Sequence, residues 1–394
     1  MPSTTRNRTT HSNCPGSIAS TSALQRLALA LLLASSSLAL AEDNKPWTLV
    51  AYFENDLFAD TDQSYTNGVR LSWISPDISS YGRDPQLPGF IKKINNQLRF
   101  FHKKNERDCS DPEADPETCL QRNLVISLGQ IMFTPEDPQE TELIKDDRPY
   151  AGYLYSTFGY HTRDDVQLDT IEVSLGVVGP ASLAQQTQDF IHHLRDIPVF
   201  KGWDNQLRNE PVFQVLYEHK DRLVSAKLAP DWQPPKWLKP QWHPRHDFIA
   251  HFGGNLGNAM TYANVGFEYR IGFGLPNDFG SAALRPGGDN SAPGRGDPRR
   301  EDDFDPKPVH KKSSLHAFAS FDGRAVARDI FLDGNTFRDS HSVSKKHFVG
   351  DIAIGIGFIY RRWKVSVSQV WRSEEFEGQD EPHEFGSISV SYSY

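Results

Sequence analysis

The chain is poor in cysteine, with three in 394 residues. Cys14 falls in the leader described below, which leaves Cys109 and Cys119 close together in a polar, proline-containing segment. Their spacing, and the lack of further cysteine partners, argue against a structural zinc site. In an oxidising compartment the two thiols would pair, and closing so short a loop contributes roughly 2–3 kcal/mol at most. Also missing, outside the leader, is any apolar run of the roughly 20 residues that a membrane-crossing helix needs, so insertion in a membrane would have to be as a closed barrel. An excess of positive charge is absent too. Lys and Arg number 42 against 51 Asp and Glu, and the basic residues are scattered, which argues against a nucleic-acid partner. Finally, no G-x-S-x-G elbow supplies an activated serine. The net charge of -9 and mean hydropathy of -0.56 resemble those of a soluble acidic protein. A transmembrane barrel scores the same way, because every second strand residue faces a polar lumen.

What is present begins with export. Arg6, Arg8 and Arg26 precede the apolar run from Leu27 to Leu33, and Ala39-Leu40-Ala41 forms an A-x-A cleavage pattern. Residues 1–41 read as a secretory signal peptide, and 42–394 as the mature domain.

Alternation of period two dominates that domain. Trp47, Leu49, Ala51 and Phe53 point one way, as do Tyr65, Asn67, Val69, Leu71 and Trp73. The same pattern recurs at 124–131, 153–161, 171–177, 212–219, 248–252, 262–273, 315–321, 352–360, 363–371 and 388–394, which makes twelve strands with the first two. Separate strands at 222–228 and 324–332 would make fourteen. An even count, aromatic residues at strand ends and an aromatic C-terminus (Tyr392, Tyr394) favour an all-β, transmembrane antiparallel barrel over a soluble β-sandwich. With both mature termini in the periplasm, the loops after strands one, three and five face outward. The segment 76–122 is then a long periplasmic connection, and the Gly/Pro/Asp-rich stretch 284–310 reads as a mobile loop.

Three outward loops carry chemistry. The first hairpin holds Glu54, Asn55, Asp56, Asp60 and Asp62, hard oxygen donors of the kind that bind calcium, although acids also simply solvate a turn. The second holds Arg148 before a proline that fixes the backbone. A salt bridge to Asp146 or Asp147 would explain it, and so would binding of lipid phosphate, which a guanidinium suits better than an ammonium does. The third is helical: it starts at Gly179-Pro180, Ser182 can cap it, and Leu183, Thr187, Phe190, Ile191 and Leu194 form an apolar stripe. Gln188 and His192, four apart, lie on the opposite face, and His193 projects to a flank. Beyond it, Trp203 could anchor at headgroup level, while Asp204 and Asn205 supply acceptors or turn chemistry.

In order along the chain, Glu54-Asn55-Asp56-Leu57-Phe58 with Tyr65-Thr66-Asn67-Gly68, Asp147-Arg148-Pro149-Tyr150-Ala151-Gly152, Gly179-Pro180-Ala181-Ser182 continuing to Gln188 and His192, Gly202-Trp203-Asp204-Asn205-Gln206, Gly257-Asn258 with Tyr262-Ala263, and the run from Asp329 to Asn335 resemble the lipid A 3'-O-deacylase (LpxR) family of outer-membrane barrels. Each motif is weak alone; the ordered set is specific. The resemblance implies twelve strands, an outer-membrane location, lipid A or lipopolysaccharide as substrate, and calcium-dependent hydrolysis of the 3'-linked acyl ester. It places Asn55 and Asp56 at the calcium site, makes His192 the catalytic base, and puts Gln188 and Arg148 in or near the active centre. Ala184 and Gln185 depart from the glycine and acidic residue expected after Ser182-Leu183, which bears on substrate preference.

The chemistry is coherent with that assignment. Without a serine elbow, water activated by His192 is the better nucleophile, and calcium near Asn55 and Asp56 would polarise the carbonyl. His192 must be neutral to act, so activity should fall on the acid side of neutrality. Two other classes stay open. An outer-membrane phospholipase would hold a serine beside the histidine, and a porin or adhesin would use the barrel alone.

Overall fold

The computed structural model describes residues 47–55, 64–77, 120–228, 244–280, 292–294, 297, 299 and 313–394. Twelve strands form one closed antiparallel barrel: β1 (Thr48–Asn55), β2 (Ser64–Ile74), β3 (Gln121–Thr134), β4 (Ala151–Arg163), β5 (Gln167–Val178), β6 (Glu210–Lys227), β7 (Pro244–Gly257), β8 (Met260–Phe273), β9 (Ser313–Asp329), β10 (Phe348–Tyr360), β11 (Trp363–Arg372) and β12 (His383–Ser393). Neighbours in sequence pair in order, and β1 closes on β12 from Thr48↔Ser393 to Asn55↔Gly386. Backbone bonds between Trp47 and Tyr394 in both directions, each 2.9 Å, extend the seam. The proposed fourteen-strand division is overturned. Residues 222–227 continue β6 past a register shift and still pair with β7, while 324–329 continue β9 against β8, with Arg324 and Ala325 pairing with β10 as well.

Alternation sets which way each residue faces. Phe53, Val69, Ile126, Leu128, Phe158, Leu175, Phe213, Ile354 and Ile356 are exposed on the outside, whereas charged groups are buried within. Arg70 bonds Glu172 at 3.0 Å and Arg270 bonds Asp247 at 2.6 Å. An apolar exterior around a polar interior is the arrangement lipid imposes, and the opposite of a soluble sandwich. Trp363 and Tyr392 (4.6 Å between centroids), with Tyr394 beyond, cluster at one rim as an interfacial girdle does.

Both ends of the lumen are packed. At the end where β1, β3 and β5 finish, the short helix α2 (Ile330–Asp333) inserts Phe331 against Phe133 (4.4 Å) and Tyr153 (6.2 Å). At the other end, the segment after β8 turns inward. The Asp278 carboxylate accepts from Arg270 (2.6 Å), Arg299 (2.7 Å) and Lys364 (2.6 Å), and the Phe279 ring lies under Arg163 and Arg222, both at 4.8 Å. Ala292, Asp297 and Arg299 are buried here as well, so this part of 284–310 is a lumen filling and not the mobile loop its composition suggests. Three cations around one carboxylate outweigh the turn propensity of Gly and Pro. Cys109, Cys119 and residues 1–46 lie outside the described residues.

Candidate functional site

The long loop between β5 and β6 folds back over the outside of the wall. Gly179 starts it with φ 99, and a Cβ there would stand 2.6 Å from the Arg208 carbonyl carbon, so only glycine fits. One 3-10 turn (Pro180–Ser182) leads into helix α1 (Ala184–Arg195). The helix is not capped by Ser182: its N-cap is Leu183, in the left-handed region at φ 60, and no side chain caps it. Ser182 is instead buried, its carbonyl accepting from Gln130 Nε2 at 2.7 Å.

The faces of α1 fall where four-residue spacing puts them. Ala184, Gln188 and His192 are buried, while Phe190 (65% exposed) and Leu194 (72%) face away from the barrel, and His193 is exposed. The buried face meets β3 and β4. Gly152 of β4 lies under the helix start, where a Cβ would come within 2.2 Å of both Ser182 Oγ and Ala184 Cβ.

A single row of residues ties this helix to the first hairpin. Across the sheet Asn55 pairs with Asn67, Asn67 with Met132, and Met132 with Gly152. Paired residues share a face, and the parity of Phe53, Val69, Leu128 and Phe158 makes that face the outside. Strands lie about 4.8 Å apart, so roughly 10 Å of wall separates Asn67 from Gly152. Met132, with Tyr150, Ala184, Phe200 and Trp203, forms an apolar cluster between wall and loop. The result is a buried polar seam on the lipid-facing side of the barrel, at its rim.

Within the seam, side-chain geometry fixes proton positions. His192 Nδ1 is 2.6 Å from the Pro198 carbonyl, which can only accept, so Nδ1 is the donor and, in the neutral ring, the lone pair is on Nε2. The Phe200 ring stands edge-on at 5.5 Å. Gln188 Oε1 accepts from the Trp203 indole N–H at 2.7 Å, and Gln188 Nε2 is buried with no partner among the described residues. Trp203 is therefore no headgroup anchor. It is buried against Tyr150, its ring 5.1 Å away, because its N–H finds a partner inside. Asn205 ties this loop to the one between β3 and β4, its Nδ2 donating to the Thr141 carbonyl at 2.9 Å.

The structure does not bring Arg148 to this seam. Its guanidinium lies on the lumen side, over the Phe133 and Phe376 rings (5.3 and 5.4 Å), and bonds Glu375 at 2.7 Å. Asp147 is occupied with the Glu136 and Arg148 backbone amides. Burial alone would push the Glu375 carboxyl up; Arg148, Arg372 and Arg324 together hold it down to about 2.

Asp56, Asp60 and Asp62 lie outside the described residues. Asn55 and Asn67, opposite each other, are both buried, and Asn67 Oδ1 has no hydrogen-bond partner among the described residues. An orphaned carboxamide oxygen beside a second carboxamide fits a hard cation. Among the described residues no group of three or more His, Cys, Asp or Glu could hold a metal, and the two amides are what those residues offer such a site. Asn67 was visible in the sequence as a strand position and as part of the Tyr65-Thr66-Asn67-Gly68 motif, not as a metal ligand; Glu375 and Trp203 gave no signal as partners of Arg148 and Gln188.

Comparison with known proteins adds four findings. A family model described as outer membrane protein LpxR matches residues 27–394. LpxR from Salmonella typhimurium superposes with a TM-score of 0.59 at 15% identity, covering 88% of this chain and 99% of that one. The β domain of the Bordetella autotransporter Brka matches at a TM-score of 0.37 and 8% identity, over 89% of this chain and 100% of its own. No curated protein matches the sequence.

Proposed function

We propose, from the premise that this chain belongs to the outer membrane protein LpxR family, that it is a carboxylic ester hydrolase that removes the 3'-linked acyloxyacyl group of lipid A in the outer leaflet. The protein is an outer-membrane barrel, and the observation that supports the reading is where His192, a buried and base-competent histidine of an outward loop, sits. His192 and Gln188 are enclosed on the outside of the wall, beside lipid, where an ordinary barrel presents only apolar side chains.

In this reading His192 Nε2 takes a proton from water as the oxygen attacks the ester carbonyl. The Pro198 carbonyl holds the ring through Nδ1–H and stabilises the imidazolium that forms. Gln188 Nε2, already desolvated, donates to the developing oxyanion, and leaving that donor unpaired in the free enzyme costs about 1–3 kcal/mol. As the tetrahedral intermediate collapses, His192 returns the proton to the departing sugar oxygen. General-base assistance supplies about 10²–10⁴-fold. Asn55, Asn67 and Asp56 would hold calcium, which when bound polarises a carbonyl as a Lewis acid. Arg148 keeps the β3–β4 loop seated by pairing with Glu375, and so supports Tyr150 beneath Trp203.

A serine nucleophile has less support. Ser182 is buried nearby, but Ala184 to His192 alone spans roughly 12 Å of helix rise. The test is mass spectrometry of lipid A incubated with the purified protein in detergent. Loss of the 3' acyloxyacyl mass is expected for the wild type and not for His192→Ala. Hydrolysis of glycerophospholipid with lipid A left intact would replace this reading with a phospholipase.

A further inference from the structure

The orientation of the Gln188 amide is imposed by a group outside the reaction, and we infer that Trp203 is a positioning residue that decides which end of that amide faces the substrate. The inference rests on the deacylase reading. An amide presents an acceptor and a donor of nearly equal size, and a side chain free to turn would offer either. The Trp203 indole N–H has no acceptor capacity, so at 2.7 Å it must meet Oε1, and Nε2 is left pointing away with no partner among the described residues. His192 shows the same logic: the Pro198 carbonyl takes the Nδ1 proton and leaves the lone pair on Nε2. The Pro198 carbonyl and the buried Trp203 indole thus set, respectively, the acceptor and the donor of a single site. Reversed, the amide would aim Oε1 at the developing oxyanion and repel it.

Trp203 itself is fixed by packing. Its ring is tilted against Tyr150 at 5.1 Å, and Gly202 lies flat on Tyr150, where a Cβ would stand 2.5 Å from the ring. Trp203→Phe keeps that stacking and removes only the N–H. Loss of the flip preference alone halves the productive population, and loosening the amide adds to this, since a misplacement of about 1 Å costs up to about 10²-fold.

The experiment is a double-mutant cycle on the purified barrel, each variant checked for heat-modifiable migration, with kcat and KM for lipid A measured for wild type, W203F, Q188A and W203F/Q188A. W203F should lower kcat about tenfold and leave KM within twofold, less than the 10²–10³-fold that removal of the donor itself costs. The double variant should match Q188A, because Trp203 acts only through Gln188. In parallel, the indole N–H resonance missing from the W203F spectrum should move and lose exchange protection in Q188A. An active wild type whose W203F variant keeps kcat within twofold, or whose two losses multiply, overturns the positioning role and leaves the deacylase reading standing. A resonance unmoved by Q188A does the same. A wild type inert toward lipid A overturns the reading and the role together.

Discussion

Replacing Arg148 with methionine separates two roles that the residue type alone allows: contact with a substrate phosphate, or closure of the rim through Glu375. The carboxyl of Glu375, ordinarily near 4.5, is held down to about 2. That difference corresponds to about 3 kcal/mol of preferential stabilisation of the charged form, which agrees with the roughly 3–5 kcal/mol that breaking one side of a buried pair costs. Arg372, 3.6 Å from Glu375, remains in the variant, so a loss of about 2–3 kcal/mol in local stability is expected. Removing both charges, as in R148M/E375L, should return most of it, since a pair replaced by apolar groups is close to neutral. The assay is thermal loss of heat-modifiable migration together with amide exchange across 136–150, followed by turnover. Under the clamp role the double variant regains both stability and activity to within a few-fold. Recovered stability with turnover still absent would refute the clamp and return Arg148 to the substrate. The pH sign is also fixed. A depressed carboxyl contributes fully above about 4.5 and loses its contribution as pH falls toward 2, so wild type should show an acid limb in that window that R148M flattens.

His192→Ala should lower turnover at least about 10²-fold in a folded barrel, while His193→Ala, whose ring bonds the Asp189 carbonyl at the surface, should keep most of it; the opposite result would reverse the face assignment. Chelation should abolish hydrolysis and added calcium restore it, with Asp56→Ala and Asn67→Ala requiring more calcium; full turnover after exhaustive chelation removes the metal from the mechanism. Serine at both Cys109 and Cys119 should lower stability modestly and leave turnover unchanged, as read by kcat on the purified variant; a folded but dead variant would put that segment in the site.

Alternation carried nearly all of the fold, because lipid outside and polar groups inside impose the same period on every strand. It misled only where a strand ran longer than the bilayer requires. Arg222 and Arg324, read as the starts of separate strands, each continue a strand and point into the lumen, toward Phe279 and Asp351 respectively. The helix face with Gln188 and His192 was legible because four-residue spacing is local. What was not legible is what the chain brings together from afar. Arg148 and Glu375 are 227 positions apart, and the lumen filling by Asp278 and Phe279 depends on cations from several strands. Trp203 misled because an amphipathic ring reads as an interface residue until its N–H finds a buried acceptor.

Placing α1 outside the wall, with its apolar stripe away from the barrel and its polar face against it, has a kinetic consequence. A lipid substrate would reach His192 sideways, by diffusion within the leaflet, without being lifted into water. Encounter is then a two-dimensional search, set by how many substrate molecules share the surface with each barrel and how fast they drift. Diluting lipid A with inert detergent at constant total lipid A should slow the reaction, whereas diluting the whole suspension should leave the rate per barrel nearly unchanged.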